Sequence, residues 1–430
     1  MAGVFNLAAA NPLMKIHFAP KIPKQFNSAA VAYNDLFEGK GIPISNRGFE
    51  IPTHVGPGAS DTWYGDGGTL PAGDAETLQT MSVGFFSYAR AIQLTGAALD
   101  AAGDDAVTYA RALAFTVRNS VVNAIKMLNI YTFLDGTGTL AKTNGVSVAS
   151  TSTTWTFDAS GLTDGERYLR AGQTLDFIHT APTVVTTAKV NSLASIIAFP
   201  GAFGTSGAIT TPITVTMNAA NNAYSTATGD LAVLTGSYNS VMVGFKYIID
   251  DGTVASTFQN LSRTTSPQLQ APVVYANSAA LARDHMRRAL ANIQTARGSV
   301  QPGNLRIWSG PSQLHAYMDM GWTLKRFQGT SMKMDLGYTA VDFEGIPWVI
   351  DTDCPRDTIF FVDRESLFKV TARALSFDTR SGSILRQIPS ATAGQYSDAF
   401  VAFLIFRGNL GAYTCNSMTK VVNLAIPIGY

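Results

Sequence analysis

The chain has 430 residues, with 31 Lys+Arg against 30 Asp+Glu and a formal net charge of +1. That near-balance argues against the strong basic field of an avid DNA binder or a membrane-surface patch. Charged residues are only 14% of the chain, well under the usual quarter or so, and Gly, Ala, Ser and Thr fill the gap; so little charge hints that other protein covers much of the surface.

Read in order, residues 1 to 47 form an arm broken by Pro12, Pro20, Pro23 and Pro43. Lys15, Lys21 and Lys24 precede the first acidic residue, Asp35. The arm is either a strap over a neighbouring subunit or a tail, and Ile16, Phe18, Ile22 and Phe26 favour the strap, because a disordered tail rarely spends aromatics. From Gly48 two strands are expected, Phe49 to Thr53 and Met81 to Leu94, joined by a long tip. The tip is too rich in Gly and Pro for regular structure, yet it carries Trp63, Tyr64 and Leu70. Exposed aromatics on a long hairpin point to docking on a partner. The same segment holds Glu50, Asp61, Asp66, Asp74 and Glu76, and no lysine.

Residues Asp104 to Asp135 predict one long helix. Val107, Ala110, Ala114, Val117, Val121, Ala124, Leu128 and Tyr131 fall on one stripe, leaving Arg111, Arg118 and Lys126 for other faces. Asp104 and Asp105 suit the helix N-terminus, and Gly136 and Gly138 its exit. Some 30 residues make a rod of roughly 45 Å, a spine by the standard of an average helix.

Residues 146 to 262 are Thr/Ala/Gly/Val-rich, with strand-like runs at Trp155 to Phe157, Thr174 to Ile178, Ile213 to Met217, Val241 to Val243 and Tyr247 to Ile249. Turn signals separate them, so the stretch reads as a small antiparallel β-domain inserted into a larger one. A helix capped at Asn277 or Ser278 follows, running to Gly298. Then come a strand at Leu305 to Trp308, a short helix opened by Ser309-Gly310-Pro311, and strands at Ile346 to Ile350, Thr358 to Val362, Phe400 to Phe406 and Tyr413 to Val422.

Order and motifs together resemble the major capsid protein of tailed double-stranded DNA phages, the Hong Kong 97-type fold. The phrases that carry the likeness are Asp66-Gly67-Gly68-Thr69-Leu70-Pro71, Asp135-Gly136-Thr137-Gly138, Phe343-Glu344-Gly345-Ile346-Pro347 with Asp351-Thr352-Asp353, and Arg407-Gly408-Asn409-Leu410-Gly411. The resemblance implies an α+β chain: 1–47 an N-terminal arm, 48–100 an extended loop built as a long β-hairpin, 101–145 the spine part of a peripheral domain, 146–262 an inserted antiparallel β-domain, 263–360 an axial domain, and 361–430 the C-terminal strands of the peripheral domain. It implies pentamers and hexamers of the chain itself in an icosahedral virion shell, assembled in a bacterial cytoplasm around double-stranded DNA that it touches weakly. A portal, a separate scaffolding protein and a cement or decoration protein are the further partners implied. The arm begins within about fifteen residues of Met1, which is why the scaffold is expected to be separate. Some family members cross-link through a loop lysine. None lies between Lys40 and Lys126 here, so a non-covalent shell is expected.

A two-stranded hairpin with a glycine-rich tip does not stabilise itself in water. Its carboxylates Glu50, Asp61, Asp66, Asp74 and Glu76 are therefore expected against cations of a neighbour, with Arg111, Arg118 and Lys126 as candidates. Such exposed pairs contribute only about 0.2–1 kcal/mol each; the apolar anchors, Trp63 above all, should contribute more.

No catalytic, metal or cofactor constellation stands out. The histidines His17, His54, His179, His285 and His315 are scattered, and HExxH, GxSxG and P-loop patterns are missing. Cys354 and Cys415 have neither metal spacing nor a disulfide framework. Asp250-Asp251-Gly252 and Asp351-Thr352-Asp353 could hold a divalent cation, although turn residues are the more ordinary reading. Asn6, Asn11 and Pro12 interrupt any signal-peptide core, and no run of about 18 apolar residues occurs, so a soluble cytoplasmic product and no membrane contact are expected. An encapsulin-like compartment shell is the alternative within the fold, and a β-rich surface adhesin or enzyme the alternative outside it.

Overall fold

The computed structural model describes residues 30–37, 42–43, 48–56, 58, 60–97, 109–144, 154–157, 168–170, 172–178, 184–193, 213–217, 228–322, 332–333, 339–380, 382–389 and 396–427. Phe18, Phe26, Asp104 and Asp105 lie outside them, as does most of the arm.

The spine runs over Tyr109–Phe133, 25 residues. The expected one-face stripe does not describe the inner half of the helix. From Ala124 to Phe133 the helix is buried nearly all round, and even Lys126, Asn129 and Thr132 lie inside. A helix enclosed on every side has no solvent face for periodicity to mark. Past the helix, Gly136 and Gly138 adopt φ of 80° and 86°, and the Asp135 carboxylate accepts from the Thr137 N–H at 3.1 Å. A β-carbon on Gly138 would stand 2.9 Å from the Ser237 carbonyl oxygen, so this turn needs glycine there.

The turn feeds a closed antiparallel barrel in the order Thr228–Leu234, Thr139–Asn144, Thr154–Phe157, Ile213–Met217, Val184–Leu193, Thr174–Ile178. Its strands begin at Thr139 and end at Leu234. Leu140, Ala141, Leu175, Phe177 and Ala232 share one core with Met127, Leu128 and Tyr131 of the spine. Val241 to Val243 form no strand, and Phe245–Ile248 is a short helix where Tyr247 to Ile249 had been expected extended. A short apolar run cannot distinguish the two by periodicity. Tertiary contact decides it: Gly244 lies so close to the spine's last carbonyls that a β-carbon would sit 2.4 Å from the oxygens of Tyr131 and Leu134.

Two sheets flank the spine. One contains Ile42–Pro43, Leu367–Phe377, Tyr396–Ala412 and Arg386–Pro389, with Phe86–Thr95 on the other edge of Tyr396–Ala412. The expected return strand from Met81 to Leu94 is thus two strands broken at Gly84-Phe85, the first in the hairpin and the second in this sheet. Asn409 fixes the break: its side-chain amide donates to the Gly84 carbonyl at 3.0 Å, and its Oδ1 accepts from the Val243 N–H at 2.9 Å.

The other sheet runs Val273–Tyr275, Thr419–Val422, Ile359–Asp363, Leu305–Ser309, Ile346–Ile350, Thr339–Phe343, Met332–Lys333. Thr419–Val422 therefore joins this second sheet rather than the strands beside the spine. Helix Arg283–Arg297 packs on the sheet through Met286, Ala289 and Ile293. It starts later than expected because Asn277 and Ser278 sit at φ of 52° and 61° in a turn, and Gly298 ends it at φ 83°. Glu344 and Gly345, at φ 49° and 82°, make the two-residue hairpin loop between Phe343 and Ile346, with the left-handed pair that matches strand twist. Spine and second sheet meet in an aromatic cluster, where Phe133 lies 5.5 Å from Phe245, 6.4 Å from Trp308 and 6.2 Å from Phe360. Fully burying each such ring is worth about 1.5–3 kcal/mol.

Candidate assembly surface

Among the described residues, strands Phe49–Gly56 and Thr77–Val83 pair only with each other. Alternation seats the root of this hairpin: Met81 and Val83 are buried, Phe49 meets Phe368 edge-on at 5.7 Å, and the Ser82 N–H donates to the Gln259 carbonyl at 3.0 Å. Farther out, every residue from 61 to 80 is exposed. Trp63 keeps all of its surface (102%), and Tyr64, Leu70 and Leu78 keep 63%, 66% and 69%. Glycine holds the tip's shape: Gly67 takes φ 76°, the Gly68 N–H donates to the Gly65 carbonyl at 2.9 Å, and a β-carbon on Gly58 would stand 2.9 Å from the Asp74 oxygen.

The hairpin is acidic as well as apolar. No Lys or Arg occurs from residue 48 to 89. Glu76 contacts His54 on the facing strand, and Asp74 accepts from the Ala75 N–H at 2.9 Å. Glu50, Asp61 and Asp66 make no ion pair with any described residue. The structure thus gathers Trp63, Tyr64, Leu70, Asp61, Asp66 and Asp74 on one protruding tip, with Glu76 and Glu50 along its strands.

The expected cations fare differently. Arg118 is exposed on the spine, and Arg111 is on the same helix with its side chain outside the described residues. Lys126 does not face a neighbour. It is 4% exposed and pairs with the Asp353 carboxylate at 2.7 Å. The physical reason is the enclosure of the spine's second half, which turns its polar face onto buried carboxylates instead of solvent. Around this pair, the Asn129 amide donates to Asp351 at 3.0 Å and to Asp353 at 2.6 Å. The Ala32 N–H donates to Asp351 at 2.9 Å, and the Tyr33 N–H to Asn129 at 2.7 Å. Burial first, and the Asp353 charge second, raise the Asp351 pKa above its ordinary value. Helix Val31–Phe37, the spine and the end of Ile346–Ile350 are thereby tied together. Asp351 and Asp353 act as tethers, and among the described residues no group of three or more His, Cys, Asp and Glu is placed to hold a metal. Asp250 likewise accepts from the N–H groups of Gly252, Val254 and Ala255 and pairs with Lys420 at 3.1 Å.

One charged feature was not singled out from the sequence. Asp378, 3% exposed, receives Arg373 at 3.2 Å, Arg380 at 2.9 Å and Arg386 at 2.5 Å. Arg407 lies directly across the sheet from Arg373. The Arg380 hydrogen bond above all holds the Asp378 carboxyl far below the usual range. Ile384, two residues before Arg386, and Tyr396, paired with Pro389, are 46% and 67% exposed. The three arginines around Asp378 fall within residues 373 to 386, and their excess over acid there was the available signal.

The fold of this chain, with its long helix, protruding hairpin and paired sheets, is similar to that of phage capsid chains. A chain of the cyanophage A-1(L) capsid asymmetric unit matches with a TM-score of 0.55 at 12% identity, covering 96% of this chain and 98% of that one. A capsid chain of a native GTA particle (TM-score 0.46, 9% identity, 99% and 100% covered) and one of cyanophage P-SCSP1u (0.43, 9%, 97% and 94%) are also similar. At such identities the likeness shows the fold, and it rests on the first of the three. No family model and no curated protein matches the sequence.

Proposed function

We propose that this chain is a structural shell protein that assembles with copies of itself, as pentamers and hexamers, into a non-covalent icosahedral head enclosing packaged double-stranded DNA. The observation that carries the proposal is the hairpin: a Gly-rich, two-stranded projection whose outer residues are all exposed and whose tip presents a completely bare Trp63. Such a ribbon lacks the third strand or packed face it needs for stability in water, and patches of this kind mark sites of association. The capsid fold supports the same reading. In it the barrel is an insertion into the common core, the spine and the sheet containing Tyr396–Ala412 form the peripheral domain, and the sheet containing Leu305–Ser309 forms the axial domain. Each tip would bury its aromatic and aliphatic side chains on a second copy, while its carboxylates set orientation more than strength.

Negative-stain imaging of the chain expressed alone tests the proposal directly. Closed shells are the expected result; monodisperse single chains at high concentration would overturn it. Nuclease-protected DNA in particles from infected cells separates a genome-bearing head from a compartment around an enzyme cargo. Boiled, denatured particles should run as single chains, because residues 48–89 contain no lysine for a cross-link.

A further inference from the structure

We infer that the tip of the hairpin is received, on a second copy of the chain, by the arginine corner around Asp378. This rests on the assembly reading above and adds the receiving surface.

The tip needs a partner that is both cationic and apolar, since it offers Asp61 and Asp66 without an ion-pair partner among the described residues, next to Trp63, Tyr64 and Leu70. Among the described residues, none covers Trp63, Tyr64 or Leu70, which stay exposed. On the spine, Lys126 is consumed by Asp353 and Arg118 is the exposed cation among the described side chains. On helix Arg283–Arg297, Arg288 pairs with Asp284 at 2.7 Å and Arg287 with Glu344 at 3.1 Å, so that face is largely neutralised.

The corner is different. Arg373, Arg380 and Arg386 share a single carboxylate, leaving an excess of two positive charges before Arg407 is counted. Asp378 holds the guanidinium groups in a fixed fan, which lowers the ordering cost of a further contact. Arg380 keeps 60% of its side chain exposed and Arg386 32%. Ile384 lies between them in the sequence, and Tyr396 pairs with Pro389 on the neighbouring strand. Among the described residues, both are among the few large apolar side chains left exposed outside the hairpin. Charge and exposed apolar side chains therefore occur on the same two-stranded part of the sheet, Arg386–Pro389 with Tyr396–Ala412, and on the turn that leads into it. The apolar pairs would supply the affinity and the arginines the register, with carboxylates of the tip completing the fan.

The test is a charge swap and a disulfide trap in the full-length chain. Arg380→Glu alone, and Asp61→Arg with Asp66→Arg alone, should each raise the protein concentration at which shells form at least about tenfold. Combining both changes in one chain should restore most of that loss. Independently, mixing a Thr69→Cys chain with a Ser383→Cys chain should give a covalent dimer band under mild oxidation, because the native Cys354 and Cys415 are buried. Absence of both the rescue and the mixed dimer, while Trp63→Ala still forms no shells, would overturn the receiving surface and leave the docking tip standing. Normal shells from Trp63→Ala would overturn the docking tip itself. Arg380→Glu shells that form normally but protect less DNA would assign the corner to nucleic acid and sink the inference. Should Arg380→Glu fail to fold, the disulfide trap decides alone.

Discussion

The hairpin tip and the joint beneath the spine are built from the same chemistry and treated in opposite ways. At the joint, Asp351 and Asp353 are enclosed and met by Lys126, Asn129 and backbone N–H groups. At the tip, Asp61 and Asp66 stand in water beside a bare tryptophan. A buried charge left unpaired costs several kcal/mol, whereas an exposed one costs almost nothing. The joint must therefore be complete within one chain. The tip can wait for a second chain, and its exposed apolar surface is the driving force kept for that event.

That contrast breaks most readily at Lys126. Replacing it with methionine leaves the Asp353 carboxylate buried without its cation, so denaturant unfolding of the unassembled chain should show a loss of about 3–5 kcal/mol. A loss under about 1 kcal/mol would mean that the network is ornamental. Gly244→Ala is next: its methyl group would collide with backbone oxygens at the end of the spine, for an expected cost of about 1–3 kcal/mol by the same assay.

Acid sharpens the comparison further. The pKa of Asp351 is raised in the folded chain above its ordinary 3.8. Its contribution is therefore fully present below that ordinary value and lost as pH rises through the raised one. Asp378 is depressed, so its contribution is present above the ordinary value and lost as pH falls through the depressed one. Melting temperatures of Asp351→Asn relative to the parent should improve from acid toward neutral pH, and those of Asp378→Asn should worsen; parallel curves would refute the assignment. The smallest effect on a single chain belongs to the tip. Trp63→Ala should change unfolding stability by no more than about 0.5 kcal/mol and still abolish shells. Loss of chain stability instead would place Trp63 in a core.

Much of this architecture was legible in the residues. The spine, its glycine exit, the Gly-rich tip and the strand-rich stretch after it all follow from local rules of periodicity and turn chemistry. The misread parts share a cause. Tyr247 and Ile248 became helical, Met81 to Leu94 became two strands, and Lys126 turned inward, each because a distant segment had arrived: the spine's carbonyls, Asn409, and Asp353 respectively.

The arginine corner differs: Arg373, Arg380 and Arg386 stand only five, two and eight residues from Asp378, so their excess charge was legible, and the sheet decides only that Arg407 comes to lie across from Arg373.

By itself, then, the sequence determined which segments are rods, ribbons and tips, and that one tip would be acidic, aromatic and glycine-bent, because backbone sterics and side-chain periodicity act over a few residues. Only the tertiary structure decided which charges are buried and paired and which remain for another molecule. Desolvation depends on what surrounds a group in space, and that is set by segments hundreds of residues apart.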